Sequence, residues 1–97
     1  MSPRRGEIWT TTEAGNVLVV SCTVYNEIPS EPTVIVMPVF SHEADTGFGV
    51  EIDTGWVATG LIAAFDKDDL VALAGVIGVQ ELTNVNNTLF KILATPD

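Results

Sequence analysis

The side chains best suited to acid–base chemistry are neighbours, Ser41 and His42. His42 is the only histidine of the chain, and histidine is the side chain that exchanges a proton near neutral pH, so it is a candidate general base. Ser41 adds a hydroxyl beside it. An exposed loop histidine without a chemical role has the same sequence setting, so both interpretations stay open. The sequence therefore predicts Ser41 and His42 as candidate catalytic residues.

The positive charges are few enough to be considered one by one: Arg4, Arg5, Lys67 and Lys91. Arg4 and Arg5 could stabilise a phosphate if the N-terminus folds over a groove, and Arg5 is the third candidate catalytic residue. The alternative is that both are solvated terminal charges. Lys67 follows Asp66, which is interpreted as the cap of a short helix rather than as a catalytic acid.

Negative charge dominates the chain. Thirteen Asp and Glu residues against four Lys and Arg residues give a net charge of −9, which repels a polyanion and disfavours nucleic acid as a partner. Four carboxylates gather near one loop and strand, and such oxygens can bind Ca²⁺ or Mg²⁺. Their spacing is not that of a calcium loop, so a solvated face is predicted, with no metal and no cofactor; the four are Glu43, Asp45, Glu51 and Asp53.

The aromatic residues and the cysteine are expected to be structural. Trp9 and Trp56 could stack on the bases of a single strand, but core packing or a dimer contact is the simpler interpretation. Cys22 lies in an apolar stretch that is predicted to be a strand, and it has no second cysteine with which to pair. It is therefore predicted to be a buried, inert thiol.

The element that must position these residues is the stretch TVIVMPVF, residues 33–40, which is apolar on both faces and predicts a central strand covered on both sides. Residues 17–25 are predicted to be its neighbouring strand. A strand near residues 7–11 completes a first hairpin, with a turn at residues 13–16. Further strands are predicted at residues 47–53 and 56–65, the second bent at Gly60.

The last third of the chain is predicted to contain two helices. A short helix is expected to begin at Asp66 and end near Gly75, followed by a small strand at Val76-Ile77. Apolar residues then recur at helical spacing, which predicts an amphipathic helix over residues 84–93 with Thr83 as its N-cap.

Together these elements predict one domain, residues 1–97, that is mainly β with a C-terminal helix: a small, strongly curved antiparallel sheet or SH3-like barrel. No run approaches the ~18 to 20 apolar residues that a membrane helix requires, and the first residues lack an apolar signal core. With a single cysteine, the chain is expected to be a soluble cytoplasmic protein with no membrane partner.

Four stretches of this layout resemble the MazF/PemK/Kid group of bacterial toxins, which share a CcdB-like fold. Residues 5–9, RGEIW, match the opening R-G-[DE]-[IV]-W motif. Residues 17–26 match its V-L-V-V-S strand with the following turn, residues 33–39 match its T-V-[IV]-V-x-P strand, and residues 66–70 match its D-K-x-R-L motif. The resemblance implies a homodimer that is the toxin half of a toxin–antitoxin pair.

The activity implied by the resemblance is cleavage of single-stranded RNA without a metal. The 2′-hydroxyl attacks the adjacent phosphate, which requires a base, a cationic donor to the phosphorane and an acid for the leaving 5′-oxygen. The sequence departs from the family pattern at the residues that do this. Gly15-Asn16-Val17 replaces a loop with Arg-Pro, Phe40 stands where the family has Thr, and Asp69 stands where its helix motif has Arg.

Two functions therefore remain open. The first is an endoribonuclease toxin in which Ser41, His42 and Arg5 replace the usual Arg and Thr. The second is a catalytically degenerate binding module that acts through protein contacts, with an antitoxin or another toxin as its partner. In either case a dimer is expected to use the C-terminal helix or the edge of the sheet that holds Trp9, because so small a chain cannot bury every apolar stripe alone.

Overall fold

The computed structural model describes residues 2–43 and 48–94. Within these residues the chain forms one antiparallel sheet and two α-helices, with short 3₁₀ turns at Thr59–Leu61 and Lys67–Asp69. The strands are β1 (Glu7–Thr11), β2 (Asn16–Val19), β3 (Thr33–Phe40), β4 (Gly49–Ile52), β5 (Gly55–Ala58), β6 (Ala63–Asp66) and β7 (Leu70–Val76), and the helices are α1 (Thr23–Asn26) and α2 (Val79–Ala94).

The strand order is β4-β5-β3-β2-β1-β7, and β6 pairs with β3 beside β5. Every pairing is antiparallel. The prediction of a mainly β fold with a C-terminal helix is confirmed. The sheet is not closed, since no pairing among the described residues joins β4 to β7, so the structure is a curved open sheet rather than a complete barrel.

Strand β3 is the centre of the sheet, with the bounds that the sequence predicts. One of its edges pairs with β2 and the other pairs with β6 and then β5. Each face contributes to a separate cluster of buried side chains, as expected for a strand that is apolar on both sides. The cluster packed by α2 contains Ile8, Leu18, Val20, Met37, Val50, Ile52, Val57 and Val85. The opposite cluster contains Trp9, Val17, Val19, Val34, Val36 and Leu70, which confirms a core position for Trp9.

The predicted strand 17–25 is wrong beyond Val19, where the chain turns into α1. The cause is the fully buried amide of Asn26, whose Nδ2 donates to the carbonyl oxygens of Pro3 and Ser21, each at 3.0 Å. A buried amide must be hydrogen-bonded, and this requirement overrides the β propensity of the segment. The turn leaves Cys22 exposed, so the prediction of a buried thiol is also wrong.

The predicted strand 56–65 is two strands. β5 ends at Ala58, a 3₁₀ turn contains Gly60, and β6 then begins at Ala63. The two strands pair with different parts of β3, which is why the chain must break between them.

The predicted helix beginning at Asp66 is wrong as well. A 3₁₀ turn spans Lys67–Asp69, and the carboxylate of Asp66 makes no capping hydrogen bond. The chain continues as β7, because pairing with β1 along this apolar stretch outweighs the local helix-start pattern. Within the described part of the chain, β7 pairs with β1 alone and forms one end of the sheet.

Helix α2 begins five residues earlier than predicted. Glu81, at the third helical position, accepts a hydrogen bond from the backbone N–H of Gly78 (2.9 Å), as in a capping box. Thr83 is therefore inside the helix, where its hydroxyl donates to the carbonyl of Val79 (2.9 Å). Val85 is fully buried, whereas Phe90 and Leu93 are exposed. No helix in the described residues has the length and hydrophobicity needed to cross a bilayer.

Candidate functional site: an acidic cleft

A cleft of about 420 Å³, called the main cleft below, lies where the end of β3, the β4–β5 turn, the end of β7 and the start of α2 meet. Its apolar lining includes Ile8, Val39, Ile52 and Ile77. Its polar lining consists of Asn16, Ser41, Asp53, Thr54 and Glu81. The cleft thus combines an apolar surface with two carboxylates and several neutral polar groups.

Glu81 holds the wall of the main cleft together. One carboxylate oxygen accepts the N–H of Gly78, and the other accepts the N–H of Asp53 at 2.7 Å. The first bond caps α2 and the second attaches the helix to the β4–β5 turn. A single side chain therefore fixes two elements of the cleft relative to each other.

Gly55 fixes the β4–β5 turn against the end of β3. Its φ of +152° is unusual for any other residue, and a Cβ at this position would lie 2.0 Å from the carbonyl oxygen of Phe40. Only glycine lets the β4–β5 turn pack so closely against the end of β3. This contact brings the end of β3, with Phe40 and Ser41, next to the turn that holds Asp53 and Thr54, and all four residues line the cleft.

Two of the three predicted catalytic residues lie side by side. Ser41 Oγ is 3.3 Å from His42 Nδ1, and both residues are exposed; the histidine tautomer decides which group donates. Ser41 lines the main cleft. The pair is close enough for a proton to move between hydroxyl and imidazole after a small adjustment. Their catalytic role stays a prediction.

Arg5, the third predicted residue, lies in a different groove. This groove, of about 200 Å³, is lined by Arg5, Val20, Asn86, Leu89, Phe90 and Leu93 and shares no residue with the main cleft. The guanidinium of Arg5 donates a hydrogen bond to Asn86 Oδ1 on α2. A single chain therefore does not assemble Arg5 with Ser41 in one cleft.

The other cations also lie away from the main cleft. Lys67 donates from Nζ to the carbonyl of Ile28 at 3.2 Å, and Arg4 lines a shallow site beside Glu7. In the part of the chain that the structure describes, none of the four Lys and Arg side chains lines the main cleft. Two carboxylates without a cation make the cleft repulsive to a phosphate.

Two of the three departures from the toxin-family pattern lie in this cleft, whereas Asp69 lines a separate pocket with Thr12 and Phe65. Asn16 belongs to the loop where the family carries Arg, and it lines the cleft together with Phe40 and Ser41. Sequence reasoning identified these positions but missed Glu81. The pattern Gly-x-x-Glu at the start of an apolar helical stripe, residues 78–81, was the signal that could have found it.

The remaining candidates are placed as follows. Trp9 is buried and its indole N–H donates to Glu7 Oε1 at 3.1 Å, and Trp56 is half-buried on β5. Among the described residues no three His, Cys, Asp or Glu side chains are grouped to hold a metal ion. Of the acidic cluster, Asp53 lines the cleft, Glu43 and Glu51 are exposed, and Asp45 lies outside the described residues.

Comparison with known proteins gives one family. Residues 4–93 match the model of the PemK-like, MazF-like toxin of type II toxin–antitoxin systems. No curated protein sequence matched the chain.

Solved structures share the fold at low sequence identity. An endoribonuclease from a mycobacterial species superposes with a TM-score of 0.86 at 22% identity, over 100% of this chain and 96% of that one. A mycobacterial endoribonuclease in complex with its cognate antitoxin gives 0.85 at 21%, over 99% of each chain. The MazE–MazF complex from Deinococcus radiodurans gives 0.83 at 20%, over 98% of each chain.

Proposed function

Because the chain belongs to the PemK-like, MazF-like toxin family of type II toxin–antitoxin systems, we propose that it is the toxin-family component of such a module and acts through protein contacts. The observation that carries this proposal is the charge of the main cleft. Among the described residues, Asp53 and Glu81 line this cleft and no Lys or Arg does, while Asn16 and Phe40 lie in the same cleft where the family pattern has Arg and Thr. An RNA backbone entering this cleft meets repulsion instead of neutralisation.

An antitoxin protein is the first partner that we propose. Two of the similar structures are described as complexes, one with a cognate antitoxin and one as MazE–MazF. Family membership extends this expectation to the present chain. Co-expression with the product of the neighbouring gene, followed by size-exclusion chromatography, tests whether such a complex forms.

A second copy of the chain is the other proposed partner. β7 carries no charged residue over its seven positions, pairs on one side only among the described residues, and exposes Val71, Leu73 and Val76. An apolar edge of this length is normally covered in native proteins. This surface is not the edge that the sequence predicts, because β1, which holds the buried Trp9, is paired with β2 on one side and with β7 on the other. Light scattering should give a molar mass of two chains for the unaltered protein. Leu73→Lys, which places a charge on the edge, should lower the measured mass to that of one chain.

Metal-independent cleavage of single-stranded RNA is the second candidate function, and the contact between Ser41 and His42 favours it. In this candidate His42 accepts the proton of the 2′-hydroxyl, whose oxygen attacks the adjacent phosphorus. The protonated His42 then gives this proton to the leaving 5′-oxygen, and a 2′,3′-cyclic phosphate remains. A cation for the phosphorane has to reach the cleft from outside it, for example Arg5 of a second copy.

One experiment separates the two functions. Purified protein is incubated with a long single-stranded RNA in EDTA, and the 3′ ends of any fragments are analysed. Protein-contact function predicts intact RNA. Fragments with 2′,3′-cyclic phosphate that disappear in His42→Ala and Arg5→Ala would establish cleavage instead. A contaminating nuclease would cut equally in all three preparations.

Two further sequence expectations stay proposals. We propose that residues 1–97 act as one domain, since both core clusters draw on the same strands β1, β2 and β3. The cytoplasmic location expected from the sequence is likewise retained as a prediction.

A further inference from the structure

The main cleft has the properties of a binding groove for a peptide rather than for a nucleic acid. We propose that it binds a basic, extended segment of a partner protein, with an arginine or lysine side chain placed beside Asp53 and Glu81. This deepens the proposed protein-contact function by naming the chemistry of the partner.

The size and lining of the cleft suit a long basic side chain. A volume of about 420 Å³ lies within the range of about 300 to 1,000 Å³ that is usual for ligand sites. Arginine and lysine carry an aliphatic stem that packs on apolar surface while the charged end reaches polar groups. Val39, Phe40 and Ile77 offer such a surface to the stem, and the two carboxylates stand at the same cleft.

The carboxylates retain unused hydrogen-bonding capacity. Each oxygen of Glu81 accepts one backbone N–H and has a further lone pair available. The carboxylate of Asp53 accepts no hydrogen bond from the rest of the described chain, and Asp53 is exposed. A guanidinium fork can therefore bind here without displacing the bonds that hold α2 to the β4–β5 turn.

Charge complementarity decides the class of ligand. Among the described residues no Lys or Arg side chain lines the main cleft, so no basic side chain there repels a cationic segment, and the net charge of −9 attracts it. The hydroxyl groups of Ser41 and Thr54, which also line the cleft, can donate hydrogen bonds to the peptide backbone or accept them from it. The same features oppose an acidic peptide and single-stranded RNA, which makes the proposal selective.

The test uses a fluorescein-labelled nonapeptide of alternating alanine and arginine, and a matched peptide with glutamate in place of every arginine. Binding is measured by fluorescence anisotropy at about 0.15 M salt. At this concentration the Debye length is about 8 Å, so the salt screens long-range electrostatic attraction. The arginine peptide should bind and the glutamate peptide should not. Asp53→Asn, which keeps the backbone N–H used by Glu81, should weaken binding about tenfold, the factor that corresponds to about 1.4 kcal/mol.

The matched control is Asp68→Asn, which removes the same charge from an exposed position in the 3₁₀ turn, away from the cleft. It should change the affinity less than twofold. If Asp53→Asn and Asp68→Asn weaken the affinity for the arginine peptide equally, the attraction is general and the proposal is overturned. A labelled single-stranded RNA that binds more tightly than the arginine peptide would also overturn it. Amide chemical shifts provide a second readout, since bound peptide should move the Asp53 and Gly78 signals first.

Failure of this inference is distinguishable from failure of the proposed function. Intact RNA in EDTA together with no peptide binding would overturn the cleft inference and leave the protein-contact function in place. Cleaved RNA together with Asp53-dependent peptide binding would overturn the proposed function and support the cleft inference.

Discussion

Removing the Glu81 carboxylate should destabilise the fold more than its position on a helix surface suggests. In Glu81→Ala the N–H groups of Gly78 and Asp53 both lose their acceptor. The first loss uncaps α2 and the second detaches the helix from the β4–β5 turn. The perturbation therefore acts on helix stability and on the wall of the main cleft at once.

The expected magnitude follows from these two bonds. Hydrogen bonds to charged groups contribute about 1.5 to 3 kcal/mol each; both bonds here are exposed to solvent, which weakens them, so about 1 kcal/mol each is appropriate. The sum is about 2 kcal/mol. For a chain of this length each kcal/mol lowers Tm by about 4 to 8 °C, so a decrease of about 8 to 16 °C is expected.

Urea denaturation followed by circular dichroism measures the free energy of unfolding directly. Glu13→Ala is the matched control, since Glu13 is exposed in the β1–β2 turn and its carboxylate makes no hydrogen bond to the described residues. Glu81→Gln, which keeps one acceptor oxygen, should lie between Glu81→Ala and the unaltered protein. If Glu81→Ala is as stable as Glu13→Ala, the carboxylate does not connect the helix to the turn and this account of the cleft wall is wrong.

Three other predictions concern stability and ionisation. Gly55→Ala should lower the free energy of unfolding, measured by urea denaturation, by more than about 2 kcal/mol, because the new Cβ would overlap a backbone oxygen. The control Gly60→Ala should have little effect, because a Cβ at residue 60 has no neighbour within 4 Å. Val85→Ala should cost about 2 kcal/mol in the same assay, because two buried methyl groups are lost and a small cavity remains. Hydrogen bonds from the Thr33 hydroxyl and backbone N–H lower the pKa of Glu31, and Thr33→Val should raise that pKa in an NMR titration.

The sign of the Glu31 effect sets its pH dependence. A carboxyl whose pKa is lower in the folded than in the unfolded chain stabilises the fold above its unfolded pKa, and this contribution is lost as pH falls through the folded value. Acidification should therefore narrow the stability difference between the unaltered protein and Glu31→Gln. A difference that grows below the folded pKa would contradict the assigned hydrogen bonds.

The central part of the fold was predictable because its signals are local and redundant. Residues 33–40 are apolar on both faces, β-branched and flanked by turn residues, and the strand has the expected bounds. The positive φ of Gly15 in the first hairpin was likewise indicated by its Gly-Asn pair. These elements needed no knowledge of distant contacts.

The errors arose where distant partners decide the conformation. Asn26 turns the chain because its amide bonds Pro3 and Ser21, and no pattern near residue 26 indicates a burial site for it. β7 is a strand because β1 is available to pair with it, although its first residues resemble a helix start. Sequence reasoning assigned acid–base groups to the site at Ser41 and His42, but the separation of Arg5 from them depends on how α2 packs.

The uncovered side of β7 affects how the protein can be handled. The outward-facing backbone N–H and C=O groups of β7 pair with no other strand among the described residues, and the strand has no lysine or proline to block it, so further chains can add to this edge. In the proposed dimer this edge is covered, so the loss of concentrated protein to fibrous precipitate should follow the fraction of chains that are monomeric. Val71→Lys, which places a charge on the edge, should slow this precipitation even though it also weakens the dimer.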